Sequence, residues 1–193
     1  MKLVFATNNL NKLSEIQSLV PKEIEILSLK DIDCNEELAE TTPTLEGNAL
    51  QKASYVYEKY GYNCFADDTG LEIDALNGDP GVYSARYAGE ECRAEDNINL
   101  VLQKLKGQTN RIAEFRTVIA LIIDGKETFF EGNCKGEITE FRSGVEGFGY
   151  DPIFLPNGFD KTFAEMKQNE KGAISHRAKA VEKLVEFLNY HQI

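Results

Sequence analysis

Tryptophan is absent from this 193-residue chain, and histidine and methionine occur only twice each. With His176 and His191 as its imidazoles, the chain has no means of building a His-rich zinc or iron site. A metal here should be a hard, oxygen-liganded ion such as Mg2+. Four cysteines, Cys34, Cys64, Cys92 and Cys134, lie far apart with no CxxC pair. That argues against zinc-ribbon and thioredoxin-like motifs and for a reduced, cytoplasmic protein. Positive charge is scarce: 21 Lys and Arg face 32 Asp and Glu, a net charge of -11. Nucleic acid and anionic membranes would repel such a chain as a whole. A small anionic ligand would need a local basic pocket, a metal ion, or both. No apolar run approaches the roughly 20 residues of a membrane-spanning helix, and Leu3 to Ala6 is too short for a secretory signal core.

What is present suits an ordinary globular protein. Hydrophobic residues make up 42% and charged residues 27%, in a length that allows a sizeable core in one large domain or two small lobes. We take 1–193 as a single functional domain. Leu3 to Ala6 reads as a strand, Thr7-Asn8-Asn9 as a turn with capping residues, and Leu10, Leu13, Ile16, Leu19 and Val20 as a helix closed by Pro21. Residues 23–29 form a second candidate strand, and Asp31 to Pro43 a polar loop. A long amphipathic helix is predicted from Thr44 to Tyr60, stopped by Gly61. Cys64-Phe65-Ala66 reads as a buried strand, residues 71–90 as irregular, and Ala94 to Leu105 as a helix. Thr117 to Ile123, Asp124-Gly125 and the run through Phe130 signal a hairpin. Val181, Leu184, Val185 and Leu188 mark a last helix after Ser175. Helices alternating with strands, plus one antiparallel hairpin, predict an α/β fold around a mixed sheet.

Five constellations can carry chemistry. In Thr7-Asn8-Asn9-Leu10-Asn11-Lys12, a helix start offers backbone N–H groups and a lysine to an anion, although Asn and Thr also cap helices for purely structural reasons. In Asp67-Asp68-Thr69-Gly70, adjacent carboxylates at a strand end suit a metal or a general base, unless they merely shape a turn. Strand neighbours point to opposite faces, so one of the pair should face a shared site. Within Glu36-Glu37-Leu38-Ala39-Glu40, a carboxylate could complete a Mg2+ site or simply be solvated. Gly147-Phe148-Gly149-Tyr150-Asp151 can be a tight turn or present a ring to a nucleobase. Lys171, His176 and Arg177 crowd a helix start, where the dipole disfavours cations but welcomes an anionic or polar ligand.

These motifs in order, ATNNLNK, TLEGNALQKA, FADDTGLEIDALNGDPGVYSARYAG, GFGYDPIF and KGAISHRAKA, resemble the signatures of the noncanonical purine nucleoside triphosphate pyrophosphatases. These are also called XTP/dITP diphosphatases or inosine triphosphate pyrophosphatases. The likeness runs from Ala6 to Ala180. It implies an elongated, mixed-sheet α/β fold of two lobes around a central cleft, and a homodimer. It also implies Mg2+-dependent hydrolysis of ITP, dITP and XTP to the monophosphate and pyrophosphate, which cleanses the nucleotide pool. By the same resemblance, Thr7, Asn8, Asn9, Leu10, Asn11 and Lys12 bind the substrate phosphates. Glu40 and Asp68 hold the metal, Asp68 accepts the proton, and Thr69 contacts substrate. Phe148, Gly149, Tyr150, Asp151, Lys171, His176 and Arg177 recognise the base, while Lys52 and Arg86 support the phosphates or the pocket. Asn8 and Asn11 stand where the family often has glycine, and Thr69 where serine is common.

Overall fold

In the computed structural model, residues 1–190 are described; His191 lies outside them. The elements are β1 (Lys2–Phe5), α1 (Leu10–Leu19), β2 (Glu25–Leu27), α2 (Leu45–Tyr60), β3 (Cys64–Ile73), β4 (Pro80–Gly81), α3 (Ala94–Lys104), β5 (Ile112–Ile123), β6 (Lys126–Ile138), β7 (Phe154–Pro156), α4 (Gln168–Gly172) and α5 (His176–Tyr190). The strand order is β2-β1-β3-β5-β6-β7, with β4 beside β3. β1 runs parallel to β2 and β3, whereas β4 and β7 pair antiparallel with β3 and β6. The fold is therefore α/β around a mixed sheet. Among the described residues no helix is long and apolar enough to cross a membrane.

The chain forms two compact units, and β3, β5 and β6 contribute residues to both. The first unit comprises Met1–Asp68, Thr117–Gly132 and the chain from Arg177 onward. Period-two alternation in its strands feeds two apolar layers. Phe5 and Phe65 join Ile16 of α1 and Val181 and Leu184 of α5 on one face. Val4, Ala6, Cys64 and Ala66 join Ala49, Ala53 and Val56 of α2 on the other. Both early helices are capped by side chains, the first within the predicted turn. The Asn9 side chain accepts from the amides of Asn11 and Lys12, and Thr44 accepts from Gly47. Gly61, at φ 72°, ends α2 in the left-handed conformation that glycine adopts without strain.

The second unit comprises Thr69–Arg116 and Asn133–His176. Its core gathers Leu71 and Ile73 with Ile98, Val101 and Leu105 of α3, and with Phe115, Phe154 and Phe163. Phe115 and Phe154 meet edge to face at 4.7 Å, a favourable aromatic geometry. Buried Asn97 accepts from Ala88 N and donates to Ala85 O, which fixes the turn that carries Arg86.

Several elements exceed their sequence signals. β3 does not stop at the apolar trio but continues through Asp67-Asp68-Thr69-Gly70 to Ile73, so the two carboxylates lie within a strand. β5 begins at Ile112 and β6 reaches Ile138, because only their inward faces need be apolar. The stretch 71–90 is not wholly irregular: it completes β3 and supplies β4. A Cβ at Gly70 would come within 2.8 Å of the Gly81 carbonyl oxygen, so this close pairing requires glycine. The second strand shrinks to Glu25–Leu27, and Lys171 lies in the short α4 rather than at the start of α5.

Candidate active site

The loop from β1 to α1 is organised by its own side chains. Thr7 Oγ1 accepts from Asn9 N at 3.1 Å, and Asn9 Oδ1 accepts from Asn11 N at 3.0 Å and Lys12 N at 3.2 Å. Two amides of the predicted anion site are thus satisfied by the cap. Asn8 reaches across to the acidic stretch, donating to Glu36 O and accepting from Leu38 N, both at 3.1 Å. Leu10 and Asn11 are exposed, and the Lys12 side chain turns back toward β3.

Strand alternation sends Asp67 and Asp68 to opposite faces of β3. Asp67, fully buried, follows Phe65 toward α1 and α5. Its Oδ1 accepts from Lys12 Nζ at 3.0 Å and its Oδ2 from Arg177 Nε at 3.1 Å. Its backbone carbonyl accepts from Lys52 Nζ at 2.7 Å. Burial alone would raise the Asp67 carboxyl, but Lys12, Arg177 and Lys52 outweigh it and hold the group well below the usual carboxylate range. Arg177 also pairs with Glu15 of α1 and is 1% exposed. Burial lowers the Lys12 ammonium, aided by the charges of Lys52 and Arg177, with Asp67 opposing.

Asp68 follows Ala66 toward α2, where Asn48 donates to its Oδ2 at 3.0 Å. Burial pushes the Asp68 carboxyl above its ordinary value; Lys52 and Lys12 oppose this shift and Glu40 adds to it. Glu40 pairs with Lys52. Burial works against ionised Glu40, yet Lys52 and Lys12 bring its carboxyl below the ordinary value. The same carboxylates overcome burial at Lys52 and raise its ammonium. Among the described residues no three His, Cys, Asp or Glu side chains gather into a ready-made metal cage. Glu40 and Asp68 nonetheless supply hard oxygens that interact electrostatically. This donor set could hold Mg2+, which takes one or two carboxylates and completes its shell with water and phosphate oxygens.

In the second unit, Lys171 Nζ pairs with Asp151 Oδ2 at 2.7 Å, both groups being buried. The same Oδ2 accepts from Phe148 N at 2.9 Å, which fixes the GFGYD turn. Gly147 has φ 74°, and a Cβ there would strike the Asp151 carboxylate; Gly149 is also left-handed, at φ 62°. Lys171 Nζ lies 4.9 Å from the half-buried Phe148 ring. Tyr150 donates to Ser84 O at 2.8 Å, and burial raises its phenol. His176 is buried and stacks on Phe115 at 4.5 Å. Thr69 follows Asp68 directly in β3 and opens this unit. Arg86 lies 5.5 Å from the Tyr83 ring.

A family model matches residues 3–187 under the description Ham1 family. The chain belongs to the Ham1 family. Flavobacterium johnsoniae has a relative named dITP/XTP pyrophosphatase, 60% identical over 188 residues, 97% of this chain and 98% of that one. The Ham1 protein of Staphylococcus aureus superposes with a TM-score of 0.89 at 38% identity, covering 99% of this chain and all of that one. A HAM1 protein from Coxiella burnetii gives 0.90 at 37% identity, covering 98% and 99%.

The Ham1 motifs therefore form two local groups. Lys12, Glu40, Lys52, Asp67, Asp68 and Arg177 meet in the first unit; Phe148, Tyr150, Asp151, Lys171 and His176 meet in the second. Sequence reasoning gave Glu15 and Asn48 no role. Asn48 stood inside a quoted motif, but nothing in helical spacing says that a polar residue at that position faces a carboxylate.

Proposed function

We propose that this chain is a Mg2+-dependent nucleoside triphosphate pyrophosphatase that converts ITP, dITP and XTP to the monophosphate and pyrophosphate. The observation that carries this reading is the buried Asp68 carboxylate, held by Asn48 at 3.0 Å and within the electrostatic reach of Glu40, Lys12 and Lys52. It agrees with the activity named for the relatives. A carboxylate held in a fixed position can serve as a general base. Asp68 takes a proton from water as the oxygen attacks the α-phosphorus, and the bond to the bridging oxygen breaks to release pyrophosphate. Glu40 and Asp68 would hold Mg2+, and the bound ion would neutralise charge on the triphosphate. An ammonium has three donors, so Lys12, which donates to Asp67 Oδ1 at 3.0 Å and to the Asp67 carbonyl at 3.5 Å, keeps one for a phosphate oxygen. Lys52 holds Glu40 and the Asp67 carbonyl in place.

For the base, Phe148 offers a stacking face, with Lys171 and Asp151 beside it and Gly149 and Tyr150 in the same turn; His176, stacked on Phe115, is assigned to the base by resemblance. Hypoxanthine and xanthine carry an acceptor oxygen at C6, where adenine carries an amino donor. A site built of donors can reject the mismatched analogue by about 10⁴-fold. The same reading makes the protein a cytoplasmic homodimer that cleanses the nucleotide pool. Pyrophosphate release should be measured over all common and deaminated triphosphates, with and without Mg2+. Release from ITP, dITP and XTP far above ATP, and only with Mg2+, is the expected result. Equal efficiency on ATP and ITP would refute the base assignment, and activity undiminished by chelation would refute the metal.

A further inference from the structure

Asn48, on the first turn of α2, is among the most buried polar side chains of the first unit, at 0% exposure. Its carboxamide has two ends of opposite character, and each is engaged. Nδ2 donates to Asp68 Oδ2 at 3.0 Å, and Oδ1 accepts from Thr42 N at 2.9 Å. This orientation is fixed by chemistry: an ionised carboxylate only accepts, and a backbone N–H only donates. Thr42 lies two residues beyond Glu40, in a segment without helix or strand. Such a segment depends on side chains to satisfy its backbone and set its path. Gly47 helps to seat it, because a Cβ there would strike the Thr42 side chain.

We infer that Asn48 is a positioning residue for the reaction proposed above. One amide sets the Asp68 carboxylate and the Glu40-bearing segment in register with each other. The inference rests on the reading of Glu40 and Asp68 as the metal pair. Aspartate at 48 keeps the acceptor for Thr42 but replaces the donor facing Asp68 with an oxygen; alanine removes both.

The test uses full-length wild type, Asn48→Asp and Asn48→Ala, with ITP as substrate. Backbone amide exchange at Thr42 is followed in the absence of nucleotide and metal. Asn48→Asp should lower kcat by about 10²-fold, the scale of a misplaced catalytic group, while KM for ITP stays within a few-fold and half-saturating Mg2+ rises. Exchange at Thr42 should remain slow in Asn48→Asp and accelerate in Asn48→Ala. A folded Asn48→Asp with wild-type kcat and Mg2+ dependence would overturn the inference. So would unchanged Thr42 exchange in Asn48→Ala; if that variant fails to fold, Asn48→Asp decides. A wild type that releases no pyrophosphate from any deaminated triphosphate would instead reject the proposed function, a separate outcome.

Discussion

Arg177 Nε donates to Asp67 Oδ2 at 3.1 Å, joining residues 110 positions apart in a pair that solvent does not reach. Glu15 binds the same guanidinium, and Lys12 occupies the other oxygen of Asp67. One carboxylate thus ties the last helix to the first through the strand that also carries Asp68. In this structure Nε and a terminal nitrogen of Arg177 are committed to carboxylates.

Removing Asp67 should therefore be costly. Asp67→Ala leaves buried cations without their counter-charge, a change that typically destabilises by about 3–5 kcal/mol. Asp67→Asn, which keeps the shape and an acceptor, should cost less. Urea unfolding of both variants measures this, and an Asp67→Ala protein within about 1 kcal/mol of wild type would show that the cations find other partners.

Asp68 should behave in the opposite way. Its folded pKa lies above the unfolded value, chiefly through burial, so its ionised form opposes folding once the pH rises through that window. Asp68→Asn is expected to abolish most turnover, by about 10²–10⁴-fold as general-base loss does, yet to unfold at a higher temperature than wild type near pH 7. That gain should vanish below the unfolded carboxylate pKa. Thermal melts at pH 7 and pH 3.5 check it; a less stable Asp68→Asn at pH 7 would mean that its contacts outweigh its burial.

Much of this arrangement was legible in the residues. Capping by Asn9, the Gly61 stop and the Asp124-Gly125 hairpin are local chemistry, and they appear where the pattern puts them. Alternation correctly separated Asp67 from Asp68. What stayed hidden was non-local. No spacing rule shows that Arg177 will meet Glu15, or that Asn8 will bond Glu36 and Leu38. Likewise, β3 runs on through two aspartates only because distant cations and an amide compensate their burial, so the apolar run alone gave too short a strand.

Glu36 provides a pH test away from the carboxylate pair. Lys59 and Tyr60 donate to it, with a smaller contribution from Cys34, lowering its carboxyl from 4.5 to about 2. A depressed folded pKa contributes stability above the unfolded value and loses it as pH falls through the folded one. Glu36→Gln should thus be less stable than wild type at pH 7, with the gap closing between pH 4.5 and about 2. Melting temperatures across that range decide it; a gap that persists at pH 2 would assign the effect to packing.

Phe148 tests the base assignment by separating the purine from its phosphates. Its ring is half-buried under Lys171, and the Asp151 carboxylate holds its backbone. Stacking of a base on an aromatic ring is worth about 1–3 kcal/mol, so Phe148→Ala should raise KM for ITP by about 5- to 150-fold with a smaller change in kcat, the pattern of lost uniform binding. Inorganic tripolyphosphate has no base, and its inhibition constant should be the same in both proteins. If tripolyphosphate weakens in parallel with ITP, the ring supports the protein rather than the purine.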